Sequence, residues 1–262
     1  GNSVLIKHAP NVPQCALAIK NLFKKAGFAD GVFNSVFLSN EQTETLIADP
    51  IITGVSLTGS ERAGRAVASA AGNSLKPVIL ELGGSDPFIV CHDANLDEAV
   101  KSADTIRCLN AGQTCISAKR FIIHEKLIDS FLQKLAASFD AHNCGDPLEL
   151  STTMGPLARL DLKDQLQRQV DESINLGAKL YYKTKLGDDY SDCFYPPTIL
   201  TNITRDMPVF SEETFGPVAA VIPFSTEAEA LAIANDTSYG LGASVWCETK
   251  KTAEFFVNGL AA

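Results

Sequence analysis

The sequence lacks the features of export, membrane insertion and nucleic-acid binding. Its apolar runs are too short to cross a bilayer, and its first residues, GNSVLIKHAP, contain neither the apolar stretch nor the cleavage site of a signal peptide. The 22 Lys and Arg residues are outnumbered by 31 Asp and Glu, and no basic cluster is longer than the pair Lys250 and Lys251. We therefore expect a cytoplasmic protein with no membrane partner and no nucleic-acid partner.

Clustered cysteines are also missing. The chain has seven cysteines, an odd number, and none of them stands in a Cys-x-x-Cys pair. They occur at positions 15, 91, 108, 115, 144, 193 and 247. This spacing fits neither a disulfide framework nor a zinc site and indicates a reducing compartment, so no metal is expected.

Strand and helix patterns alternate along the chain and predict an α/β fold in two domains. A length of 262 residues, 45% of them hydrophobic, is enough for two. Over residues 1–83, four strand patterns separated by helix-length segments predict one parallel sheet, with its ligand site at the carboxyl ends of the strands. Residues 84–262 predict a second α/β unit, which includes a long helix over residues 96–112 and a surface loop over residues 187–193.

Two short motifs follow predicted strands of the first domain. LTGSERAG places Gly59 and Ser60 between a strand and a helix, where the helix N-terminus offers amide groups to a phosphate. A plain turn with Ser60 as the helix cap is an equally common interpretation. ELGGSDP ends a strand with Glu81, which is either a general base, favoured by burial in a ligand crevice, or a solvated strand-end residue.

Cys115 differs from the other cysteines in its setting. In NAGQTCISAKR it follows a helix pattern and a loop of small residues, where a thiolate can be stabilised by amide groups and reached by a substrate. Cys15, Cys91 and Cys108 lie within helix or strand patterns and are expected in the core. A cysteine protease is not favoured, because none of the histidines at positions 8, 92, 124 and 142 carries a recognisable partner motif.

Taken in order, five motifs resemble the aldehyde dehydrogenase family, namely LTGS, ELGG, NAGQTC, EETFGPV and NDTSYGLGASVW. Within the family the chain is most similar to the bacterial NAD(P)-dependent succinate-semialdehyde dehydrogenases. The resemblance implies part of a Rossmann-like cofactor domain at residues 1–83 and a catalytic domain at residues 84–262. It also implies that the Cys115 thiolate attacks the aldehyde, that NAD or NADP accepts a hydride, and that Glu81 activates the water that hydrolyses the thioester.

The same resemblance implies the cofactor contacts, which are Lys7, Gly59, Ser60, Leu82, Glu213 and Phe215. Lys7 would contact the adenine ribose, the LTGS residues the pyrophosphate, and the EETFGPV residues the nicotinamide ribose, with the main chain of Leu82 facing the nicotinamide. Many NAD-preferring members carry a Glu three residues after the strand-end Lys, and Pro10 takes its place here. Without that carboxylate a 2′-phosphate meets less repulsion, so both NAD and NADP remain open.

The substrate and the state of the chain are also predicted from the resemblance. A small-molecule aldehyde with a distal carboxylate suits an arginine fork, and Arg107 and Arg120 are the candidates, although each could be a structural or surface charge. Family chains are much longer, so the sequence is expected to be an internal fragment, inactive alone, of a homo-oligomeric enzyme. The alternative is a non-catalytic cofactor-binding or scaffold protein of the same fold, and the presence of both Cys115 and Glu81 argues against it.

Overall fold

The computed structural model describes residues 1–186 and 192–262. The surface loop expected at residues 187–193 therefore lies outside the described residues, apart from its last two positions. The chain divides into two compact units, Gly1–Leu82 and Gly83–Ala262. Their boundary is one residue before the one expected from the sequence.

The first unit contains two separate pairs of parallel strands. Its strands are β1 Val4–Lys7, β2 Phe33–Val36, β3 Val55–Thr58 and β4 Val78–Glu81, and its helices are α1 Pro13–Lys25, α2 Asn40–Ala48 and α3 Glu61–Asn73. Strand β1 pairs with β2 and β3 with β4, and among the described residues no ladder joins the two pairs. The parallel pairing expected from the sequence is confirmed, but the four strands form two separate two-stranded ladders and not the one sheet that was expected.

The second unit is built on one six-stranded sheet. Its strands are β5 Pro87–Val90, β6 Arg120–His124, β7 Lys179–Lys183, β8 Thr198–Thr201, β9 Val218–Phe224 and β10 Ser244–Trp246. Its helices are α4 Leu96–Cys108, α5 Ile128–Asp140, α6 Leu160–Asn175, α7 Pro208–Ser211, α8 Glu227–Asn235 and α9 Lys250–Gly259. The strand order is β10-β5-β6-β9-β8-β7, and every pairing is parallel except that of the edge strand β7 with β8.

The central strands of this sheet form the core of the second unit. Strands β5 and β6 are buried along their whole length, as expected for parallel strands covered on both faces.

Nowhere in residues 1–186 and 192–262 is there a helix with the length and apolar character needed to span a bilayer.

Helix α4 ends four residues earlier than predicted. Asn110, Ala111 and Gly112 have φ values of 53°, 54° and 75°, which lie in the left-handed region and stop the helix at Cys108. Left-handed backbone is unusual for an alanine and persists only where the surroundings enforce it. The segment that leads to Cys115 is therefore a tightly turned connection between α4 and β6.

The order of the strands brings three connecting segments together. Strands β5, β6 and β9 are parallel neighbours, so the residues that precede each of them meet at the same edge of the sheet. These segments are residues 84–86, 109–119 and 212–217. The edge is formed by the amino ends of the strands, the opposite of the carboxyl edge at which a parallel sheet ordinarily binds its ligand.

Candidate active site

Cys115 lies half-buried on the turn that enters β6. The thiols of Cys91, Cys108 and Cys144 are buried instead, and burial raises the pKa of each, that of Cys91 to about 12. A reactive cysteine has to be accessible and readily deprotonated, which excludes these three. Cys15 is exposed on α1, so its expected place in the core is wrong, because it faces outward from the helix.

The guanidinium of Arg107 holds both ends of the Cys115 turn. Its side chain is fully buried at the end of α4. Nη2 donates to the carbonyl of Gly112 at 2.7 Å, and Nη1 donates to the carbonyl of Ala118 at 2.8 Å. Burial lowers the pKa of Arg107 to about 10, yet the group remains charged at neutral pH. One charged group thus fixes the turn on either side of the thiol.

Lys119 holds the same turn from within. Its Nζ is fully buried and donates to the carbonyls of Thr114 at 3.1 Å and of Cys115 at 2.6 Å. The same atom lies 3.6 Å from Oε1 of Glu213. Burial lowers the pKa of Lys119 to about 8, and the nearby Glu213 and Asp86 carboxylates limit that fall. The ammonium therefore links the thiol-bearing turn to an acidic group on the next segment.

Glu213 joins the third segment to the same place. Its Oε1 accepts a hydrogen bond from the Gly84 amide at 3.2 Å. A Cβ on Gly83 would approach the Glu213 carboxyl carbon to 2.8 Å, so the glycine is required by this close contact. Burial raises the pKa of Glu213, and the Lys119 ammonium opposes this rise. Phe215, the second residue expected at the nicotinamide ribose, is half-buried two positions further on.

Asp86 is a buried carboxyl beside this cluster. It is 6% exposed, and burial raises its pKa to about 6 against the attraction of Lys119. Its oxygens fill the space that a Cβ on Gly84 or Gly242 would need. No role for Asp86 or Lys119 was predicted from the sequence. Asp86 directly precedes the wholly apolar strand β5, a signal that could have identified it, whereas Lys119 is followed by a second charge, Arg120.

The guanidinium of Arg120, like that of Arg107, is hydrogen-bonded to main-chain carbonyls. It is fully buried, and its guanidinium donates to the carbonyls of Ser85, Ile233 and Ala234 at 2.7 to 3.0 Å. The charge of each arginine is therefore enclosed and bonded within the protein. This geometry favours the structural alternative for Arg107 and Arg120 over the substrate-binding role that the resemblance implied.

The LTGS residues of the first unit form a helix cap. Ser60 is the N-cap of α3, and its Oγ accepts from the Ala63 amide at 3.3 Å. A Cβ on Gly59 would meet nothing nearer than 3.7 Å, so no neighbour in the chain requires a glycine at this position. Lys7 is half-buried at the end of β1. This turn follows a parallel strand, the arrangement that commonly binds phosphate.

Glu81 and Leu82 end β4 of the first unit. Glu81 is exposed at the carboxyl end of the strand, so the burial expected of a general base is not seen. Leu82 is half-buried and packs so closely on Gly64 that a Cβ there would lie 2.7 Å from its side chain. Helix α3 therefore lies directly against the chain at this point.

In the second unit, a half-buried thiol on a turn held by buried charges, with a Lys–Glu pair on the same segments, is the arrangement of a thiol-dependent enzyme of the aldehyde dehydrogenase class. The chain belongs to the aldehyde dehydrogenase family, whose sequence model matches residues 1–262.

Individual relatives and solved structures also match essentially the whole of this chain. The succinate-semialdehyde dehydrogenase [NADP(+)] of Mycobacterium avium (strain 104) is 43% identical over 262 residues, which are 100% of this chain and 55% of the relative. The solved structure of Gox0499 is 47% identical with a TM-score of 0.95, covering 99% of this chain and 57% of that one. The succinic semialdehyde dehydrogenase of Streptococcus pyogenes, solved with NADP+, is 37% identical with a TM-score of 0.95 over 99% and 57% of the chains. The chain thus spans about half the length of the curated relatives it matches.

Proposed function

We propose that this chain is the thiol-bearing part of an enzyme that oxidises a small aldehyde to the carboxylate with NAD or NADP. The observation that carries the proposal is Cys115 itself, a half-buried thiol on a turn that Arg107 and Lys119 hold in place. A turn fixed by two buried charges keeps a nucleophile in one position, as covalent catalysis requires. Three buried thiols with raised pKa values do not share this setting.

The residues expected to hold the cofactor fit it in two places. The turn of Gly59 and Ser60 offers the first amides of α3 to a pyrophosphate, and no neighbouring atom requires the glycine there. The Glu213 carboxylate, held by the Gly84 amide, offers an acceptor to ribose hydroxyls. Pro10 carries no carboxylate that would repel a 2′-phosphate. Two relatives have names or titles that mention NADP, which supports NADP over NAD as the cofactor proposed for this chain.

The chemistry assigned to the chain's own groups is covalent. The Cys115 sulfur adds to the aldehyde carbonyl carbon and gives a thiohemiacetal. A nicotinamide cofactor held by the turn of Gly59 and Ser60 and by Glu213 would supply the hydride acceptor, so that loss of a hydride from that carbon would leave a thioester on the Cys115 sulfur. Glu81 removes a proton from water, the water oxygen adds to the thioester carbon, and the carboxylate product leaves as the thiol re-forms.

The test is pre-steady-state kinetics of the full-length protein. Cys115→Ser is expected to abolish both the burst and the steady-state formation of reduced cofactor. Glu81→Gln is expected to retain a burst of about one equivalent per site while steady-state turnover falls by roughly 10²- to 10⁴-fold, the range for loss of a general base. Cys193→Ser, which alters another partly exposed thiol, is the matched control and should behave like wild type. A normal burst in Cys115→Ser would refute the assignment.

We further propose a substrate with a distal carboxylate, such as succinate semialdehyde, on the strength of the names of the relatives. Neither Arg107 nor Arg120 is assigned to that carboxylate, because both are bonded to carbonyls. The comparison of kcat/KM for succinate semialdehyde and for unbranched neutral aldehydes tests this. An equal value for both would remove the substrate proposal and leave the aldehyde chemistry intact.

The 262-residue chain alone is expected to be inactive or nearly so. We infer this because the chain spans about half the length of its relatives, and the family resemblance implies an oxyanion-binding Asn in the part it does not span; loss of such a donor lowers kcat by about 10²- to 10³-fold. Rapid oxidation of succinate semialdehyde by the purified chain would contradict this. Assembly into a homo-oligomer and residence in the cytoplasm are proposals as well, the second supported by seven cysteines without a disulfide.

A non-catalytic scaffold remains the competing proposal, and thiol alkylation separates the two. In the 262-residue chain a nucleophilic Cys115 should react with iodoacetamide faster than the exposed Cys15, despite being less accessible. The Lys119 ammonium donates to the Cys115 carbonyl at 2.6 Å and so keeps the thiol-bearing turn in place. A slower reaction of Cys115 than of Cys15 would favour the scaffold.

A further inference from the structure

Three metal-ligating side chains meet on the second unit, away from the groups assigned to the aldehyde chemistry. Asp104 and Cys108 are four residues apart on α4 and therefore share one face of that helix. His142 lies two residues beyond the end of α5. The carboxylate oxygen, the thiol sulfur and the imidazole nitrogen all lie within 4.8 Å of one another. We call these three residues the α4–His142 cluster.

We propose that the α4–His142 cluster binds a zinc ion. A carboxylate oxygen, a thiolate sulfur and an imidazole nitrogen are the three ligand types that zinc takes in proteins, whereas calcium and magnesium avoid sulfur. Zinc bonds of roughly 2.0 to 2.3 Å at tetrahedral angles place ligand atoms about 3.3 to 3.7 Å apart. The three atoms lie within 4.8 Å of one another, and Nε2 of His142 lies 2.9 Å from Oδ1 of Asp104, so their separations bracket this spacing.

The imidazole of His142 is oriented as a zinc ligand needs. Its Nε2 lies 2.9 Å from Oδ1 of Asp104, and its Nδ1 lies 3.2 Å from Oγ1 of Thr153. The Thr153 hydroxyl is itself fixed, because it accepts the Asn143 amide at 2.8 Å. A metal-ligating histidine typically donates its second ring N–H to such an outer partner, here from Nδ1 to Thr153, so that Nε2 is the nitrogen that points toward Asp104 and would bind the metal in place of its present contact with Oδ1.

The cluster is also open to solvent on one side. The side chains of His142 and Asp104 are 16% and 22% exposed, whereas Cys108 is 2% exposed at the base of the cluster. A metal can therefore enter from solvent, and a water molecule can complete four-coordination. The competing interpretation is a plain Asp104–His142 ion pair above a core thiol, which predicts no metal affinity.

The spacing of the cysteines could not have predicted this site. Zinc motifs are recognised in sequence by ligands two to five residues apart in pairs, and here only one cysteine takes part. The ligands come from a single helix face and from a segment 34 residues further along the chain. Packing of α4 against α5 brings them together.

Cobalt(II) is the probe for the test, since it substitutes for zinc and reports thiolate ligation by absorption. Titrated into the purified 262-residue chain, it should bind with one equivalent that shows a near-ultraviolet thiolate-to-cobalt charge-transfer band and is displaced by zinc. His142→Gln and Asp104→Asn should each weaken binding at least about tenfold, and Cys108→Ala should remove the band. Cys91→Ala, which removes a buried thiol outside the cluster, is the matched control and should change nothing.

Two results would overturn the proposal. The first is the lack of a thiolate band in the wild-type chain, and the second is unchanged cobalt affinity in His142→Gln. Because His142 and Asp104 are partly exposed, their variants are expected to fold, which far-ultraviolet circular dichroism checks. They decide the question even if Cys108→Ala unfolds. The test needs no enzymatic activity, so its outcome is independent of the proposed function.

Discussion

Arg107 provides a sharp test of how the Cys115 turn is held. The structure assigns its guanidinium to the carbonyls of Gly112 and Ala118, whereas the sequence had suggested a substrate carboxylate. Arg107→Met keeps much of the apolar side-chain volume and removes the charge and all donors. The two interpretations predict opposite results for this one variant.

The expected change in the free energy of unfolding of Arg107→Met follows from two opposing effects. Two buried carbonyls lose their partner, at about 1–3 kcal/mol each, so the loss reaches about 2–6 kcal/mol. At the same time the folded state is stabilised, because the variant no longer has to bury a charged guanidinium. Its pKa lies at about 10 instead of 12.5, and at about 1.4 kcal/mol per pKa unit this returns about 3 kcal/mol. We expect the free energy of unfolding to fall by up to about 3 kcal/mol in total, with the loosened structure concentrated at the Cys115 turn.

Urea unfolding followed by the fluorescence of Trp246 measures this loss, since the chain has one tryptophan and it lies in β10 of the second unit. Hydrogen exchange of the amides of residues 112–118 should also accelerate. Arg205→Met is the control, because that exposed arginine makes only a surface ion pair and should change stability by less than about 1 kcal/mol.

The structural role of Arg107 would be refuted by one combination of results. Unfolding and hydrogen exchange would match wild type in Arg107→Met, while the full-length variant lost its preference for carboxylated over neutral aldehydes. An unchanged preference with faster exchange of the turn would instead confirm that Arg107 supports the turn.

Two further predictions concern the same edge of the sheet. Gly112→Ala should destabilise the second unit by at least about 2 kcal/mol in urea unfolding, because φ is 75° and a Cβ would lie 2.5 Å from the Gly216 carbonyl oxygen. Gly72→Ala on α3, where a Cβ meets nothing within 4 Å, should instead be neutral or stabilising, and equal losses in both would contradict the argument. Asp86 has a folded-state pKa raised from 3.8 to about 6, so its contribution to stability is present below about pH 4 and is lost as the pH rises through 6. The free energy of unfolding of Asp86→Asn should therefore rise relative to that of wild type by up to about 3 kcal/mol between pH 4 and pH 7. Parallel profiles of unfolding free energy against pH would refute this.

The local patterns of the sequence predicted much of the fold. Helix α4 begins at its predicted residue, Leu96, because the start of a helix depends on neighbouring residues, here the Asn95 cap. The pairing of strands did not follow from such patterns. Parallel pairing joins distant segments, so neither the split of the first unit into two strand pairs nor the order of the second sheet was accessible.

The candidate site was predicted in part. The setting of Cys115 after a small-residue loop was visible in the sequence, and in the structure it is one of three half-buried thiols, with Cys193 and Cys247. The roles of Arg107, Lys119 and Asp86 were not visible, since they depend on burial and on carbonyls from other segments. Glu81 was proposed from its place at a strand end, and that place is confirmed, whereas its burial is not.

The most direct measurement of the central claim is the mass of the acylated enzyme. Full-length Glu81→Gln, mixed with aldehyde and cofactor and quenched in acid, should carry one acyl group per subunit. Proteolysis should place that group on the peptide that contains Cys115, and Cys115→Ser in the same background should carry none. An acyl group on another residue, or its persistence in the double variant, would contradict the assignment of Cys115 as the nucleophile.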